Sequence, residues 1–255
     1  MAMGAVLPWC AQAAPVAGQG SWESTLMARD LNGDGVADAY YDTQLNISWL
    51  ADVMFLQPGG PPYVGYKWNT AMTRASQLDV YGIKGWRLPT VTFSGPDGSF
   101  ASQFANNGST DQGTARTGVG WGQRSELGHL FYVTLGRAGY DIPNDSDPAA
   151  IGGPQGGWVL DGNSGPFRHV FPVNYWTQTE DPYSYGGAPR PGGALVMDFA
   201  YGRQGVYDKG MDAGAWFVRD GDVGAVPEAQ TVALALSGLG VMTWRRRGSR
   251  PFKRA

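Results

Sequence analysis

The stretch that decides the fold is Gly85-Trp86-Arg87-Leu88-Pro89-Thr90. We expect Trp86 and Leu88 to pack in the core, because both are bulky and apolar. Before the motif, Trp68 to Leu78 places its apolar residues three and four positions apart, which predicts an amphipathic helix. After the motif comes a Gly/Ser/Asn-rich insertion, Val91 to Arg124, and then a second predicted helix, Ser125 to Tyr132, with Ser125 as its cap.

Three further patterns predict a strand pair, a surface loop and core residues. Ala39 to Leu50 alternates apolar and polar residues, which predicts a half-buried strand pair or hairpin. Inside the insertion, Phe104 to Asp111 is dense in turn-forming residues, which predicts a surface loop. Four tryptophans in strand-like or motif contexts are predicted to be core residues: Trp49, Trp86, Trp176 and Trp216.

The helix, the Trp-Arg-Leu-Pro-Thr motif and a second helix that begins with an acidic residue resemble the domain family named for the C-terminal domain of the Legionella collagen-like protein. More distantly, they resemble the formylglycine-generating-enzyme family. Tyr175 to Glu180, Ala194 to Phe199 and Ala215 to Asp222 resemble later strands of the first family, so the likeness covers residues 22–223. It implies an α+β, C-type-lectin-like domain with two main helices, a small twisted, mostly antiparallel sheet and long loops.

The end of the chain has three parts: the motif Val226, Pro227 and Glu228, the apolar run Val232 to Trp244, and the basic cluster Arg245, Arg246 and Arg247. This order resembles the PEP-CTERM sorting signal, with Pro-Glu-Ala here in place of Pro-Glu-Pro. The resemblance implies export, transient anchoring in the inner membrane by a C-terminal hydrophobic helix, and cleavage by a membrane protease of the exosortase class. The arginines would stop the helix on the cytoplasmic side.

The beginning of the chain predicts export as well. Met1 to Ala14 is apolar and ends in an A-x-A pattern, which is typical of the end of a secretory signal peptide. It carries no positively charged n-region, so we interpret it as part of a longer leader. The predicted organisation is therefore a signal peptide (1–14), a C-type-lectin-like domain (15–224) and a sorting and anchor segment (225–255).

Charge and cysteine content exclude several classes of function. Residues 1–228 hold 13 basic and 22 acidic residues, a net charge of −9, whereas residues 229–255 carry +6. An acidic domain argues against nucleic acid as a partner, since phosphate backbones are bound by cationic surfaces. Cys10 is the single cysteine and lies in the leader, so the exported domain has no thiol nucleophile and no cysteine metal site. The formylglycine-generating enzymes use two cysteines, so that resemblance implies fold alone.

One loop carries a metal-like pattern. Oxygen ligands stand at positions 1, 3, 5 and 9 of Asp30-Leu31-Asn32-Gly33-Asp34-Gly35-Val36-Ala37-Asp38, with glycine at position 6, which is the spacing of a calcium loop. Position 12 is Tyr41 instead of an acid. Two interpretations stay open: a calcium site formed by Asp30, Asn32, Asp34 and Asp38, or a polar Asx/Gly turn before a strand.

Other chemistry is sparse. We interpret Arg87 as structural, with its guanidinium satisfying carbonyl groups or a carboxylate such as Glu180. His129 and His169 have no evident nucleophile or metal partner, and His129 is expected to pack on the second helix. Four aromatic residues in Gly/Pro-rich loops are the candidates for stacking on sugar rings: Trp121, Trp158, Tyr183 and Tyr185.

These observations favour an exported, non-catalytic adhesion or polysaccharide-binding module of the cell envelope or extracellular matrix, with exopolysaccharide as its partner. Two alternatives stay open: a purely structural matrix component, and an enzyme acting on surface glycans. The enzyme would require a pair of carboxylates in a cleft. Adjacent acids such as Glu180 and Asp181 usually point apart on a strand.

Overall fold

The backbone of the computed structural model is organised by ten short strands within the residues that it describes, 19–56, 65–116, 118–150, 152–182 and 192–224. In chain order the strands are β1 (Leu26–Arg29), β2 (Ala39–Asp42), β3 (Ile47–Leu50), β4 (Trp86–Arg87), β5 (Phe104–Ala105), β6 (Gln112–Gly113), β7 (Asn174–Glu180), β8 (Gly193–Asp198), β9 (Arg203–Asp208) and β10 (Val218–Asp220). The chain divides into two compact units, Met1–Val223 and Gly224–Ala255, and all ten strands belong to the first.

The strands form two sheets of five. The first has the order β1-β2-β3-β10-β4 and is antiparallel throughout. The second has the order β5-β6-β9-β8-β7, and it is antiparallel except for the β5–β6 pair. The predicted hairpin over 39–50 is confirmed as β2 and β3, which turn through Asn46 at a φ of 55°.

The sheets line two large hydrophobic cores, and Leu195 of β8 forms a third, smaller cluster with Val91 and Phe100. Side chains alternate between the faces of a strand, so neighbouring residues reach opposite cores. Three such pairs send their first member to one core and their second to the other: Trp49 and Leu50, Tyr175 and Trp176, and Trp216 and Phe217. The prediction that four tryptophans lie in the core is confirmed, since all four are at most 3 % exposed.

Each core is closed by one helix. Helix α2 (Trp68–Gln77) buries Trp68, Ala71 and Ala75, as its apolar spacing predicts. A four-residue helix, α1 (Trp22–Thr25), precedes β1. The second predicted helix is α3 (Glu126–His129), which continues as a π-helical turn, Leu130–Thr134. The Ser125 hydroxyl accepts the Gly128 N–H at 3.0 Å, so the predicted cap is confirmed.

The predicted fold class is wrong. In place of two main helices and a small sheet, the described residues form two five-stranded sheets with a few short helices, of which the longest has ten residues. The strands were hard to anticipate, because most are two to four residues long and several are buried on both faces, which removes the alternation that marks a strand. The predicted C-terminal hydrophobic helix falls in 225–255, outside the described residues. Where the structure is described, no helix has the length and hydropathy to cross a bilayer.

The insertion is also more structured than predicted. The segment interpreted as a surface loop contains β5, and the chain then runs into β6 at the edge of the second sheet. Asn106 and Asp111 are fully buried there. Buried polar groups must be hydrogen-bonded, and these two side chains accept backbone N–H groups from neighbouring segments.

Candidate functional site

Three aromatic side chains from separate segments meet on the surface: Tyr140, Trp158 and Tyr201, here called the aromatic patch. The Trp158 and Tyr201 rings lie within 10° of parallel, with centroids 6.0 Å apart. Tyr140 meets both rings edge-on, at 5.1 Å from Trp158 and 5.4 Å from Tyr201. Tyr201 is 39 % exposed, and the other two rings are half-buried.

Hydrogen bonds to backbone carbonyl groups hold the segments of the patch together. The Trp158 indole N–H donates to the Ala200 carbonyl at 3.1 Å, and the Tyr140 N–H donates to the Tyr201 carbonyl at 2.8 Å. Tyr201 stands in the turn between β8 and β9, where the following residue, Gly202, adopts a φ of 70°. A Cβ atom on Gly202 would lie 2.8 Å from the Phe131 ring, so only glycine lets this turn press against the helix.

The surroundings of the patch are apolar and exposed. Ile142 is 48 % exposed, and Val159 and Leu160, which follow Trp158 directly, are 57 % and 48 % exposed. These three residues lie within two positions of Tyr140 or Trp158 along the chain. Single exposed apolar residues are normal, whereas contiguous apolar patches are typical of binding surfaces.

One charged pair lies within the patch. Arg203 donates from Nε and Nη2 to the two carboxylate oxygens of Asp141, at 3.0 and 2.9 Å. Asp141 is fully buried, whereas the Arg203 side chain is 38 % exposed. The Arg203 guanidinium also lies 5.7 Å from the Tyr140 ring centroid and 5.5 Å from that of Tyr201. Hydrogen bonding to Asp141 raises the pKa of Arg203, so this cation is permanent and held in one place.

A second arginine lies beneath the patch. Arg137 is 6 % exposed, and its guanidinium lies 4.6 Å from the Phe131 centroid and 5.6 Å from that of Phe199. It donates to the Leu160 carbonyl at 3.2 Å and so holds the segment that carries Trp158. Burial lowers the pKa of Arg137 to about 10, against the opposing effect of nearby groups that include Asp161 and Asp198.

The four sequence-predicted sugar-stacking residues have different outcomes. Trp158 lies in the patch as a half-buried ring. Trp121 does not meet the condition of exposure on which its candidacy depended: it is 3 % exposed, packs edge-on against Tyr132 at 5.5 Å and donates its indole N–H to the Thr110 carbonyl at 2.9 Å. Tyr183 and Tyr185 lie outside the described residues.

The predicted calcium loop is held by its own hydrogen bonds. Each of the four predicted ligands accepts at least one backbone N–H group from within the loop: Asp30, Asn32, Asp34 and Asp38. The N–H of Gly35, together with other amides of the loop, lowers the pKa of Asp30. In the described ranges, no group of three or more His, Cys, Asp or Glu side chains is placed to hold a metal ion. Carboxylate oxygens keep further lone pairs, and calcium binding stays a prediction from the sequence pattern.

Arg87 is engaged in a salt-bridge network, but with other partners than Glu180. Its guanidinium donates to both oxygens of Glu126, at 2.8 and 2.7 Å, and to Asp220 at 2.6 Å. Glu126 also accepts the Thr90 N–H at 2.7 Å, so the motif is fastened to the start of α3. Glu180 instead pairs with Lys209 at 2.6 Å.

The two histidines have separate partners in the described part of the chain. His129 is 6 % exposed, and its ring nitrogens lie 3.2 Å from the Gly122 carbonyl and 3.0 Å from Gln44 Oε1, so the predicted packing role is confirmed. His169 adopts a φ of 54° and places Nδ1 2.8 Å from Asp52 Oδ1.

The sorting and anchor residues fall outside the described part of the chain, and so does the signal peptide; they are Val226, Pro227, Glu228, Arg245, Arg246, Arg247 and the segment 1–14.

Sequence reasoning missed Tyr140, Tyr201, Asp141 and Arg203. The available signal was weak: both tyrosines adjoin a glycine, at Gly139 and Gly202, in turns far apart along the chain.

Comparison of this chain with family models, with curated proteins and with solved structures gives no match.

Proposed function

We propose that this chain is an exported, non-catalytic carbohydrate-binding protein that attaches to neutral polysaccharide of the cell envelope or extracellular matrix. The observation that carries the proposal is the aromatic patch. The cores bury many of the other large rings, whereas these three, drawn from distant turns, meet at the surface, with Tyr201 39 % exposed and the other two half-buried. Stability alone gives no reason to expose them.

The chemistry of the rings suits a sugar. One face of a pyranose presents C–H groups that carry a small positive charge, and the face of an aromatic ring carries a negative one. The Trp158 and Tyr201 rings stack on each other with planes 10° apart, so they form one aromatic surface that meets solvent chiefly through Tyr201, which is 39 % exposed. Ligand sites typically combine such apolar surface with a few placed polar groups, and Arg203 supplies these.

The charges around the patch favour a neutral glycan over an anionic one. Three acids and two arginines surround it: Asp141, Asp161, Asp198, Arg137 and Arg203. Residues 1–228 also carry a net charge of −9. A polyanionic glycan would be repelled by that field, whereas a neutral sugar is indifferent to it.

The tail supports the cellular part of the proposal. Its three-part pattern predicts that the chain is exported and is held in the inner membrane through its C-terminus. An exosortase-type protease would then cleave it near Pro227, leaving the domain at the cell surface or outside the cell. Fractionation of cells that produce the wild-type chain or a Pro227→Ala, Glu228→Ala variant tests this part, with retention of the uncleaved variant in the membrane as the expected result.

Calorimetric titration of the purified protein with neutral hexasaccharides tests the binding. We expect Trp158→Ala to weaken binding about tenfold or more, since it removes a stacking face. Tyr81→Ala is the matched control, because Tyr81 is 53 % exposed and its recorded ring partner is Phe55, outside the patch. Equal loss in both variants would contradict a specific site, and no binding by the wild type would favour a purely structural role.

A further inference from the structure

The Arg203 guanidinium offers one edge to the protein and another to solvent. Nε and Nη2 donate to Asp141, which occupies the side of the guanidinium fork nearest the chain. A guanidinium carries five N–H groups in one plane. Among the described residues, these two bonds are the hydrogen bonds that the side chain makes, so both N–H groups of Nη1 and one of Nη2 have no partner there.

Arg203 is held with little freedom. Its carboxylate partner is fully buried, and the Tyr140 and Tyr201 rings lie against the guanidinium. Its rotamers are therefore restricted before any ligand arrives. Pre-organised donors lose little entropy on binding, which is what a specificity-determining residue requires.

We propose that Arg203 uses its Nη1/Nη2 edge to bind a pair of adjacent hydroxyl groups on a neutral sugar whose ring stacks on the aromatic patch. This inference rests on the proposed function and adds the residue and the ligand group that give it specificity. Two parallel N–H donors match two oxygen acceptors held side by side, and a vicinal diol of a pyranose has such a pair.

A carboxylate would also match the fork, but the local charge disfavours it. Asp141 already neutralises Arg203, and the negative charge of Asp198 also acts on the guanidinium. A uronate would become a further negative charge around one cation, whereas hydroxyl groups add none. The site should therefore select neutral sugars over uronates.

Titration of the purified protein with cellohexaose, mannohexaose, xylohexaose and hexagalacturonate tests the proposal. Arg203→Lys keeps a cation for Asp141 but loses the planar fork. We expect it to lower the affinity for the neutral sugar about tenfold. We also expect the wild type to bind hexagalacturonate more weakly than the best neutral hexasaccharide.

A second variant separates sugar binding from folding. Asp141→Asn with Arg203→Gln removes both charges together, so no buried carboxylate is left unpaired. We expect it to melt close to the wild type and to lose sugar affinity to the same extent as Arg203→Lys. Unchanged affinity in Arg203→Lys would overturn this inference alone. Tighter binding of hexagalacturonate than of neutral sugars would overturn this inference and also the preference for neutral glycans in the proposed function. Absence of sugar binding by the wild type would overturn the proposed function and this inference with it.

Discussion

The substitution Asp111→Ala should detach the insertion from the second sheet and destabilise the protein. Asp111 is fully buried, and its carboxylate accepts the Ser94 N–H at 2.9 and 3.0 Å and the Ala101 N–H at 2.8 Å. Arg124 donates to the same carboxylate at 3.1 Å. One side chain thus links the chain at Ser94, Ala101 and Arg124, and the first and last of these segments also meet through the antiparallel bridge between Val91 and Ser125.

The magnitude follows from what the alanine leaves behind. Two part-buried backbone N–H groups lose their acceptor, and partial access of water keeps the cost of each at ~1 kcal/mol, the low end of the range for a buried group. The Arg124 pair is partly exposed on the arginine side and contributes roughly 0.5–1 kcal/mol. Removing the carboxylate also removes the cost of burying its charge, which offsets part of the loss. The free energy of unfolding should fall by about 2 kcal/mol, or about 4–8 °C in melting temperature for a domain of this size.

Urea unfolding followed by tryptophan fluorescence measures this change. Asp145→Ala is the control, since Asp145 is exposed and pairs with Arg116 at the surface, and its unfolding midpoint should stay at the wild-type value. Asp111→Asn keeps one acceptor oxygen and should lose about half as much stability as Asp111→Ala. A loss below about 1 kcal/mol in Asp111→Ala would refute the reasoning, because the two amides would then have found other acceptors.

Three further predictions concern other elements. Gly202→Ala places a Cβ 2.8 Å from the Phe131 ring at a φ of 70°; it should lower stability by about 2 kcal/mol in urea unfolding and weaken sugar binding by displacing Tyr201. Burial lowers the pKa of His129 in the folded protein. The free energy of unfolding should therefore be constant near neutral pH and decrease as the pH falls through about 6.5, the pKa of histidine in the unfolded chain. His129→Gln should remove that decrease. If the Asp30 loop binds calcium, the melting temperature should be higher in calcium than in EDTA, and Asp30→Ala should abolish the difference. Equal melting temperatures in calcium and EDTA would identify the loop as a polar turn.

Local signals predicted local structure well. The apolar spacing of α2, the hairpin of β2 and β3 and the Ser125 cap each depend on residues within one or two turns of each other. The partners of Arg87 show that local signals do not predict contacts between distant parts of the chain. A cation between two packing residues predicts an acid nearby, but Glu126 and Asp220 stand 39 and 133 residues away from Arg87. Many acids satisfied that requirement equally in the sequence.

Trp121 and Trp158 make the same point about the candidate site. Both follow glycine in Gly-rich loops, and their neighbours give no reason to treat them differently. Trp121 is buried because the π-helical turn brings Tyr132 against its ring and the insertion brings the Thr110 carbonyl to its indole N–H. Trp158 packs against Tyr140 and Tyr201, which stand in other turns, and Tyr201 keeps 39 % of its surface exposed. Exposure of a loop aromatic is therefore set by which distant segment crosses it, and sheet order rather than local composition decides that.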